Sequence, residues 1–486
     1  MASKMNNIIY APLWLAYAIM LVAIAKYFRG KDNLLPGKVG VVVQAFAYVA
    51  TYISAVALVG FGGLCYIFGM QMLLIAAGNV WLGTWFVYRY LAWPTRVWQE
   101  KLNSKTPAEL LAKAYESPKL QVFIGLISTV LLVIYGSAVF KGAAVMVAEV
   151  LHIGVNTALV SLAFVVGISV IWGGLRGVLY TEAIQGFIMF IGIGALLVAL
   201  LSAMGGPVAG IKALAALPPT KEANNGFLAL SSGPGGLNII FLTLVTSVGI
   251  WAQPQLIQRH FALKSRNDST KIVPFAMLAL SVVVGGAYFA SALSRVYLGG
   301  GMTNPDSIVP TLVGKLLPTF GQHLFALAIV SASLSTASAL LHIASGSLGH
   351  DVLKKDLSGW RWRTIVVLCT IASCLFALKS SSIIALICAT SWTLLACAII
   401  VPYLALLIQG PKAGPNAAFM SSVCGFAGTV AWYLLAYRST SIGWSGLSVP
   451  GILGVIHPIV AGTLASYIAF LLFTKKTARK TEANSV

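Results

Sequence analysis

The sequence predicts an all-α, polytopic membrane fold, and three observations carry that prediction. Of the 486 residues, 58% are hydrophobic and only 9% charged, against about 25% charged in soluble globular domains. Apolar runs of 18 residues or more recur along the whole length, and about 20 apolar residues cross a bilayer as a helix. The 32 Lys and Arg residues, which give a net charge of +20, sit in the short loops between those runs. There they orient the chain in the membrane rather than bind nucleic acid. This composition excludes an ordinary cytosolic enzyme.

Taken in order, about thirteen transmembrane helices are predicted, at 11–28, 39–64, 70–92, 119–149, 155–173, 181–204, 236–259, 271–296, 320–349, 362–379, 382–408, 416–437 and 453–474. The apolar stretch of the first, Ile8 to Ala25, is preceded only by Lys4 and followed by Lys26, Arg29, Lys31 and Lys38. That asymmetry predicts an uncleaved span with its N-terminus outside. Between the third and fourth spans, Thr106-Pro107-Ala108-Glu109 offers an N-cap Thr, Pro at N1 and Glu at N3, so a short cytoplasmic helix is expected. Residues 204–235 are rich in Gly, Pro and Asn and read as an irregular outer loop. Asp306-Ser307, before IVPTLVGKLLP, reads as the cap of a short outer helix. An odd number of spans puts the termini on opposite sides, with Lys475, Lys476, Arg479 and Lys480 in a cytoplasmic tail, 475–486. The 32 basic residues then divide as 24 inside, 7 outside and Lys141 within a span, the bias expected of a multi-pass protein. Cys65, Cys369, Cys374, Cys388, Cys397 and Cys424 fall in apolar segments without metal-ligand spacing. They read as small core residues, with no disulfide and no zinc expected.

Inside hydrocarbon every backbone polar group needs a partner, so glycines and hydroxyls within a span mark close packing or a break that lines a site. The second span, AFAYVATYISAVALVGFGGLCY, carries Thr51, Tyr52 and Ser54 near its middle and Gly60, Gly62 and Gly63 beyond. Unwinding near Ile53 to Val56 would free carbonyl oxygens for a hard cation; close packing is the other reading. The ninth span, FALAIVSASLSTASALLHIASGSLGHDV, is too rich in hydroxyls to face lipid. Ser335 and Thr336 follow Ala332 by three and four residues, so both hydroxyls lie near the Ala332 carbonyl on one face. Neutral oxygens suit sodium, whereas hydrogen bonding between closely packed helices is the alternative.

The segments ATYISAVALVG (50–60), TPAELLAKAYESPKL (106–120), GGLRGVLYTEAIQG (173–186), QPQLIQRHFALKS (253–265) and SLSTASALLHIASGSLGHD (333–351) occur in the order in which the sodium:solute symporter family carries them. The chain resembles that family over most of its length, and is most similar to its pantothenate and monocarboxylate carriers. The resemblance implies a LeuT-like fold, a five-plus-five inverted repeat with discontinuous helices over about 39–408. Peripheral helices at 11–28 and 416–474 complete one transmembrane domain spanning 1–486. It also implies one sodium site made by the carbonyls of Ala50, Ile53 and Ala332 with the hydroxyls of Ser335 and Thr336, in agreement with the reading of the two spans above.

Glu182 and Glu149 are the acids within or at the edge of spans, and a carboxylate there is a functional candidate by default. Glu182 stands in Thr181-Glu182-Ala183-Ile184-Gln185, where the resemblance implies Asp and either an ion-exit relay or a second sodium site. Ser338 matches a hydroxyl of that second site, while Ala339 stands where another would be. Pairing of Glu182 with Arg176 or with a helix N-terminus is the structural alternative. His342 shares a face with Ser335, Ser338 and Ser345 and departs from the apolar residue of relatives. It reads as a proton relay or as a neutral histidine bonded between helices. Lys141 reads as snorkelling or bonded to backbone carbonyls.

For the solute, the two broken spans offer Tyr52, Ser54, Val56 and Ala57 on one side and Thr246, Gly249, Ile250 and Trp251 on the other, near the bilayer midplane. Tyr52 and Trp251 each combine an aromatic face with one polar handle, suited to a partly apolar solute; interfacial packing is the alternative. Sugar carriers of the family have amide and carboxylate contacts at the positions of Ala57, about Ala76 and Thr246, and proline carriers an acid at Tyr52. Their absence here, with TYISA, DSIVPTLVGKLLP and IHPIV, favours a small organic anion such as pantothenate or a monocarboxylate. With no obvious buried arginine for its carboxylate, helix N-termini at the breaks would have to serve. The function expected is sodium-coupled symport by alternating access in the inner cell membrane, with sodium as co-substrate and no cofactor. The partners are the solute, the ion and the bilayer; no nucleic acid or obligatory oligomer is expected. A sodium- or proton-coupled amino-acid symporter and a transporter-like sensor are the alternatives. A channel would need a selectivity-filter repeat, and an enzyme a nucleophile with its base, or a metal cluster.

Overall fold

In a computed structural model, residues 2–28, 33–231, 236–355, 357–379, 384–437 and 455–483 are described. Arg29 and Lys31, residues 382–383 and 453–454 of two predicted spans, and residues 484–486 of the tail lie outside them. The described residues are almost entirely helical, without strands. The helices are α1 (Ala2–Tyr27), α2 (Val41–Tyr52), α3 (56–68), α4 (69–102), α5 (Pro107–Ala114), α6 (Pro118–Leu151), α7 (155–173), α8 (175–203) and α9 (Pro207–Ala215). They continue with α10 (Gly236–Ser247), α11 (Pro254–His260), α12 (Arg266–Leu298), α13 (Pro305–Leu316), α14 (Thr319–Val352), α15 (Gly359–Lys379), α16 (Ile384–Gln409), α17 (Pro415–Leu435) and α18 (Pro458–Ala483). Among the described residues, eight helical stretches are long and apolar enough to cross a membrane. The bent pair α10–α11 makes a ninth, and shorter apolar helices lie at Pro12–Tyr27, Val41–Tyr52 and Pro458–Thr474. This is a multi-pass membrane architecture.

Each helix break has a local cause. α2 stops at Ile53, whose extended backbone (φ −106°, ψ 122°) ends the ladder with a last bond from its N–H to the Val49 carbonyl. Ser54 then starts α3, its hydroxyl accepting the Val56 N–H at 3.1 Å as an N-cap does. The α10–α11 pair bends by 51° at Gln253, also extended, and Pro254 opens the second piece at a position where its missing N–H costs nothing. Gly174, at φ 56° and ψ −175°, divides α7 from α8 in a conformation closed to side chains.

α5 forms as its capping signature predicts: the Thr106 hydroxyl accepts the Glu109 N–H at 3.1 Å and Glu109 accepts the Lys105 N–H at 2.6 Å. Two local expectations need correction. The stretch 204–235 contains α9, opened by Pro207 and anchored by buried Leu214, so its Gly and Pro residues punctuate a helix. Helix α13 starts before Asp306; Asn304 is its cap, accepting the Asp306 N–H at 3.1 Å.

α14 is the central column, buried almost continuously from Phe325 to Ser347 and packed against α2, α6 and the α7–α8 pair. α1 packs against the α7–α8 pair, and α17 and α18 against each other and α16. Helix α13 lies on α3 so closely that a Cβ at Gly63 would sit 2.0 Å from the Pro305 carbonyl oxygen. Exposed Leu15, Ile19, Phe164, Val198, Leu278 and Ile371 form part of an apolar rim of the kind a bilayer covers. The six cysteines are free thiols within helices.

Candidate ion and solute site

At the Ile53 break the chain stops using its carbonyls for helix bonds, and α14 brings two hydroxyls to them. Ser335 Oγ lies 2.8 Å from the Ala50 carbonyl oxygen and 2.9 Å from that of Ala332. Thr336 Oγ1 lies 3.1 Å from Ala50 O, 3.0 Å from Ala332 O, and 3.4 Å from both Thr51 O and Ile53 O. Four carbonyl oxygens thus share two hydroxyl hydrogens, a local excess of lone pairs in a fully buried pocket. The five sequence-predicted oxygens come together, with Thr51 O as a sixth neighbour.

Thr51 links this cluster to a charge pair. Its hydroxyl accepts from Arg259 Nε at 3.2 Å, and Arg259 Nη2 donates to Glu182 Oε1 at 2.6 Å. Both side chains are fully buried. Glu182 therefore pairs with neither Arg176 nor a helix N-terminus, and a buried arginine does exist. Its signal lies in QPQLIQRHF, as a cation at the end of a broken span, which sequence reasoning takes for an orientation charge. Arg259 is committed to Glu182 and Thr51, and Gln44 donates to its backbone carbonyl at 3.0 Å. Glu149, by contrast, is exposed.

Ser338 and His342 do not join the cluster. The Ser338 hydroxyl donates back to the Ser335 carbonyl at 2.9 Å. His342, about 10 Å further along α14 at 1.5 Å per residue, approaches the Asn33 carbonyl at 2.5 Å and packs beside Trp362. Lys141 is half-buried on α6.

Among the expected solute residues, Tyr52, Ser54, Val56, Ala57, Thr246, Gly249 and Ile250 are buried around the two breaks. Tyr52 Oη donates to the Thr246 carbonyl at 2.6 Å, pinning one broken helix to the other. Asn79, which the sequence reading passed over, joins them with its amide turned so that its NH2 meets Tyr52 Oη at 3.0 Å and Ser247 Oγ at 3.1 Å. Gln253, in the second break, donates to the Trp392 carbonyl at 3.1 Å while its own side-chain oxygen is buried without a partner. Trp251 goes elsewhere. Its indole N–H bonds the Leu82 carbonyl at 2.9 Å and its ring stacks on Phe86, beside exposed Leu82.

Near the end of α11, Gln258 Nε2 donates to the carbonyls of Leu34 and Lys105 at 2.9 and 3.0 Å, joining α11 to the chain entering α2 and to the turn before α5. Glu109 on α5 meets His350 at 3.0 Å and Lys113 at 2.9 Å. Asp351 accepts from Thr106 and Gln121 at 2.7 and 2.9 Å. Burial alone would raise the Glu109 carboxyl, but hydrogen bonds from His350, Lys113 and the Lys105 N–H outweigh it and hold the group at about 2.

The family described as the sodium:solute symporter family matches residues 34–425. The chain belongs to that family. It is similar to the sodium/pantothenate symporter of Haemophilus influenzae, 29% identical over 313 residues, which are 63% of this chain and 62% of that one. It is also similar to the sodium/pantothenate symporter of Escherichia coli, 24% identical over 336 residues, 67% of this chain and 66% of the relative. Each match thus covers less than two thirds of the relative. Among solved structures, a Na+-coupled sialic acid symporter in a substrate-bound, outward-open state superposes with a TM-score of 0.74 at 16% identity, covering 97% of this chain and 98% of that one. The shared fold is the LeuT-like one, which agrees with the expectation from sequence.

Proposed function

We propose that this member of the family is a secondary active transporter that uses an inward sodium gradient to accumulate a small organic anion by alternating access. The observation that carries the reading is the oxygen cluster at the Ile53 break, where backbone carbonyls freed from helix bonding converge with Ser335 and Thr336. Sodium, as cargo, would take the Ala50, Ile53 and Ala332 carbonyls and the two hydroxyls, whose hydrogens can rotate outward to present lone pairs. Such helix breaks hold coupling ions in transporters of this architecture. The solute would lie between the α2–α3 and α10–α11 breaks, against Tyr52, Ser54 and Thr246. With Arg259 engaged by Glu182, the helix N-termini at Val56 and Pro254 would face its carboxylate. The names of the pantothenate-carrying relatives support pantothenate or a related monocarboxylate.

In this reading α2–α3 and α10–α11 are each one broken span and α7 and α8 are separate, which gives thirteen crossings. The N-terminus lies outside and the basic tail in the cytoplasm of an inner-membrane protein.

A thermal-shift screen of the purified protein tests it, with pantothenate, short monocarboxylates, amino acids and sugars each in sodium chloride and in choline chloride. A ligand that binds the folded state raises its stability by mass action, so the expected result is a pantothenate or monocarboxylate shift that needs sodium. Shifts equal in the two salts would overturn sodium coupling, and a shift with amino acids alone would overturn the organic-anion assignment.

A further inference from the structure

Two apolar grooves run side by side on the lipid-facing surface. One, of about 430 Å³, lies between α7 and α15 and is lined by Ala163, Gly167 and Ile171 on one wall and Val367, Ile371 and Cys374 on the other. The second, of about 320 Å³, lies between α1 and α7, with Ile19, Val22 and Ala23 opposite Val165. Phe164 and Ile168 line both grooves, and Phe164, 69% exposed, stands as the ridge between them.

The same end of both grooves is cationic. On α15, Arg363 continues the stripe of Val367, Ile371 and Cys374 one turn before the groove begins; on α1, Lys26 continues the stripe of Ile19, Val22 and Ala23. Both are exposed. Between them α7 ends at Gly174, and Arg176 follows, half-buried with its Nε lacking a partner. Ala25 packs on Gly173 and Gly177, which brings Lys26 beside this turn. Lys26, Arg176 and Arg363 form no ion pair among the described residues.

We infer that this surface is a binding site for one anionic diacyl phospholipid. Its two acyl chains straddle Phe164, one in each groove, and its phosphate meets Lys26, Arg176 and Arg363. A basic cluster at the end of an intramembrane cleft is what an anionic headgroup recognises, and the paired grooves match two chains rather than one. The site is independent of transport. Only its assignment to the cytoplasmic leaflet rests on the orientation proposed above, which labelling of Lys412→Cys with a membrane-impermeant reagent checks separately.

The test is the thermal stability of the full-length protein in detergent with phosphatidylglycerol or phosphatidylcholine of matched chains, and with inorganic phosphate. The expected result is a larger rise in Tm with phosphatidylglycerol, none with phosphate, and loss of at least half of the difference in the Lys26→Gln, Arg176→Gln, Arg363→Gln triple variant. Lys264→Gln, also exposed and basic, should keep the full response. Equal rises with the two lipids, an undiminished triple variant, or the same rise with phosphate alone would overturn the site. Should the triple variant not fold, native mass spectrometry of the unaltered protein in an equimolar lipid mixture decides: one retained phosphatidylglycerol supports the site, and no enrichment overturns it.

Discussion

Glu182 and Glu109 both meet cations, one at the buried centre of the helix bundle and the other toward its rim. Glu182 and Arg259 are fully buried and reach each other across 77 residues of sequence. Glu109 is itself nearly buried, its side chain 11% exposed, but its cations reach solvent, Lys113 being 41% and His350 25% exposed. The same carboxylate chemistry therefore carries different weight. A dry pair is costly to split because the survivor keeps an uncompensated charge, whereas a wet pair is screened and exchanges its partner for water. The first makes a fixed strut beside the oxygen cluster, and the second a titratable fastening for α5.

The largest effect expected from that contrast is in Glu182→Ala, which strands Arg259 and should destabilise the protein by about 3–5 kcal/mol, read as a fall in Tm. Glu182→Leu combined with Arg259→Met should restore most of it. A single variant as stable as the parent would show that water reaches the pair. Next in size is the proposed sodium site. Ser335→Ala or Thr336→Ala should raise the half-saturating sodium concentration about tenfold, equivalent to about 1.4 kcal/mol, while Glu109→Gln leaves it unchanged. Sodium activation of uptake measures both, and equal shifts in the three variants would erase the distinction between strut, cluster and fastening.

A buried-against-edge contrast also separates two aromatic residues. Tyr52→Phe removes the donor to the Thr246 carbonyl and should cost about 1 kcal/mol of stability or of solute affinity. Trp251→Phe, at the partly exposed contact with Leu82, should stay within about 0.5 kcal/mol. Solute titration in saturating sodium compares them; a larger effect at Trp251 would move the solute toward α4.

The smallest effect concerns pH. The Glu109 carboxyl is lowered from 4.5 to about 2 in the folded protein. Its contribution is therefore complete above pH 4.5 and disappears as the pH falls toward 2. With Lys113 and His350 partly exposed the contribution is screened and should shrink further at high salt. Tm measured from pH 5 to pH 3 at low ionic strength should fall less steeply in Glu109→Gln than in the parent, and parallel profiles would detach Glu109 from the acid response.

What was legible in the sequence follows the range of the interactions. Helix positions came from apolar run length, the α5 start from a capping signature four residues long, and the Ser335–Thr336 face from helical spacing. The Ile53 break was readable because hydroxyls and glycines cluster where lipid would not tolerate them. Arg259 was not, since Arg176 stands closer to Glu182 along the chain and only the packing of α11 beside α2 brings residue 259 to residue 182. Trp251 was ambiguous for a related reason: an aromatic residue next to a break can face inward or outward, and the Leu82 carbonyl and the Phe86 face that it meets belong to α4. The cap of α13 was misplaced by a local ambiguity, because Asn304 and Asp306 are both good caps and Pro305 at N1 decides between them.

At Gly63 helix α13 is seated on bare backbone. A methyl group there would act as a doorstop, holding α13 off α3. The hydrogen that stands in place of a side chain, with that of Gly62 beside it, where a Cβ would come within 3.1 Å of Val309, thereby sets how near the two helices can lie.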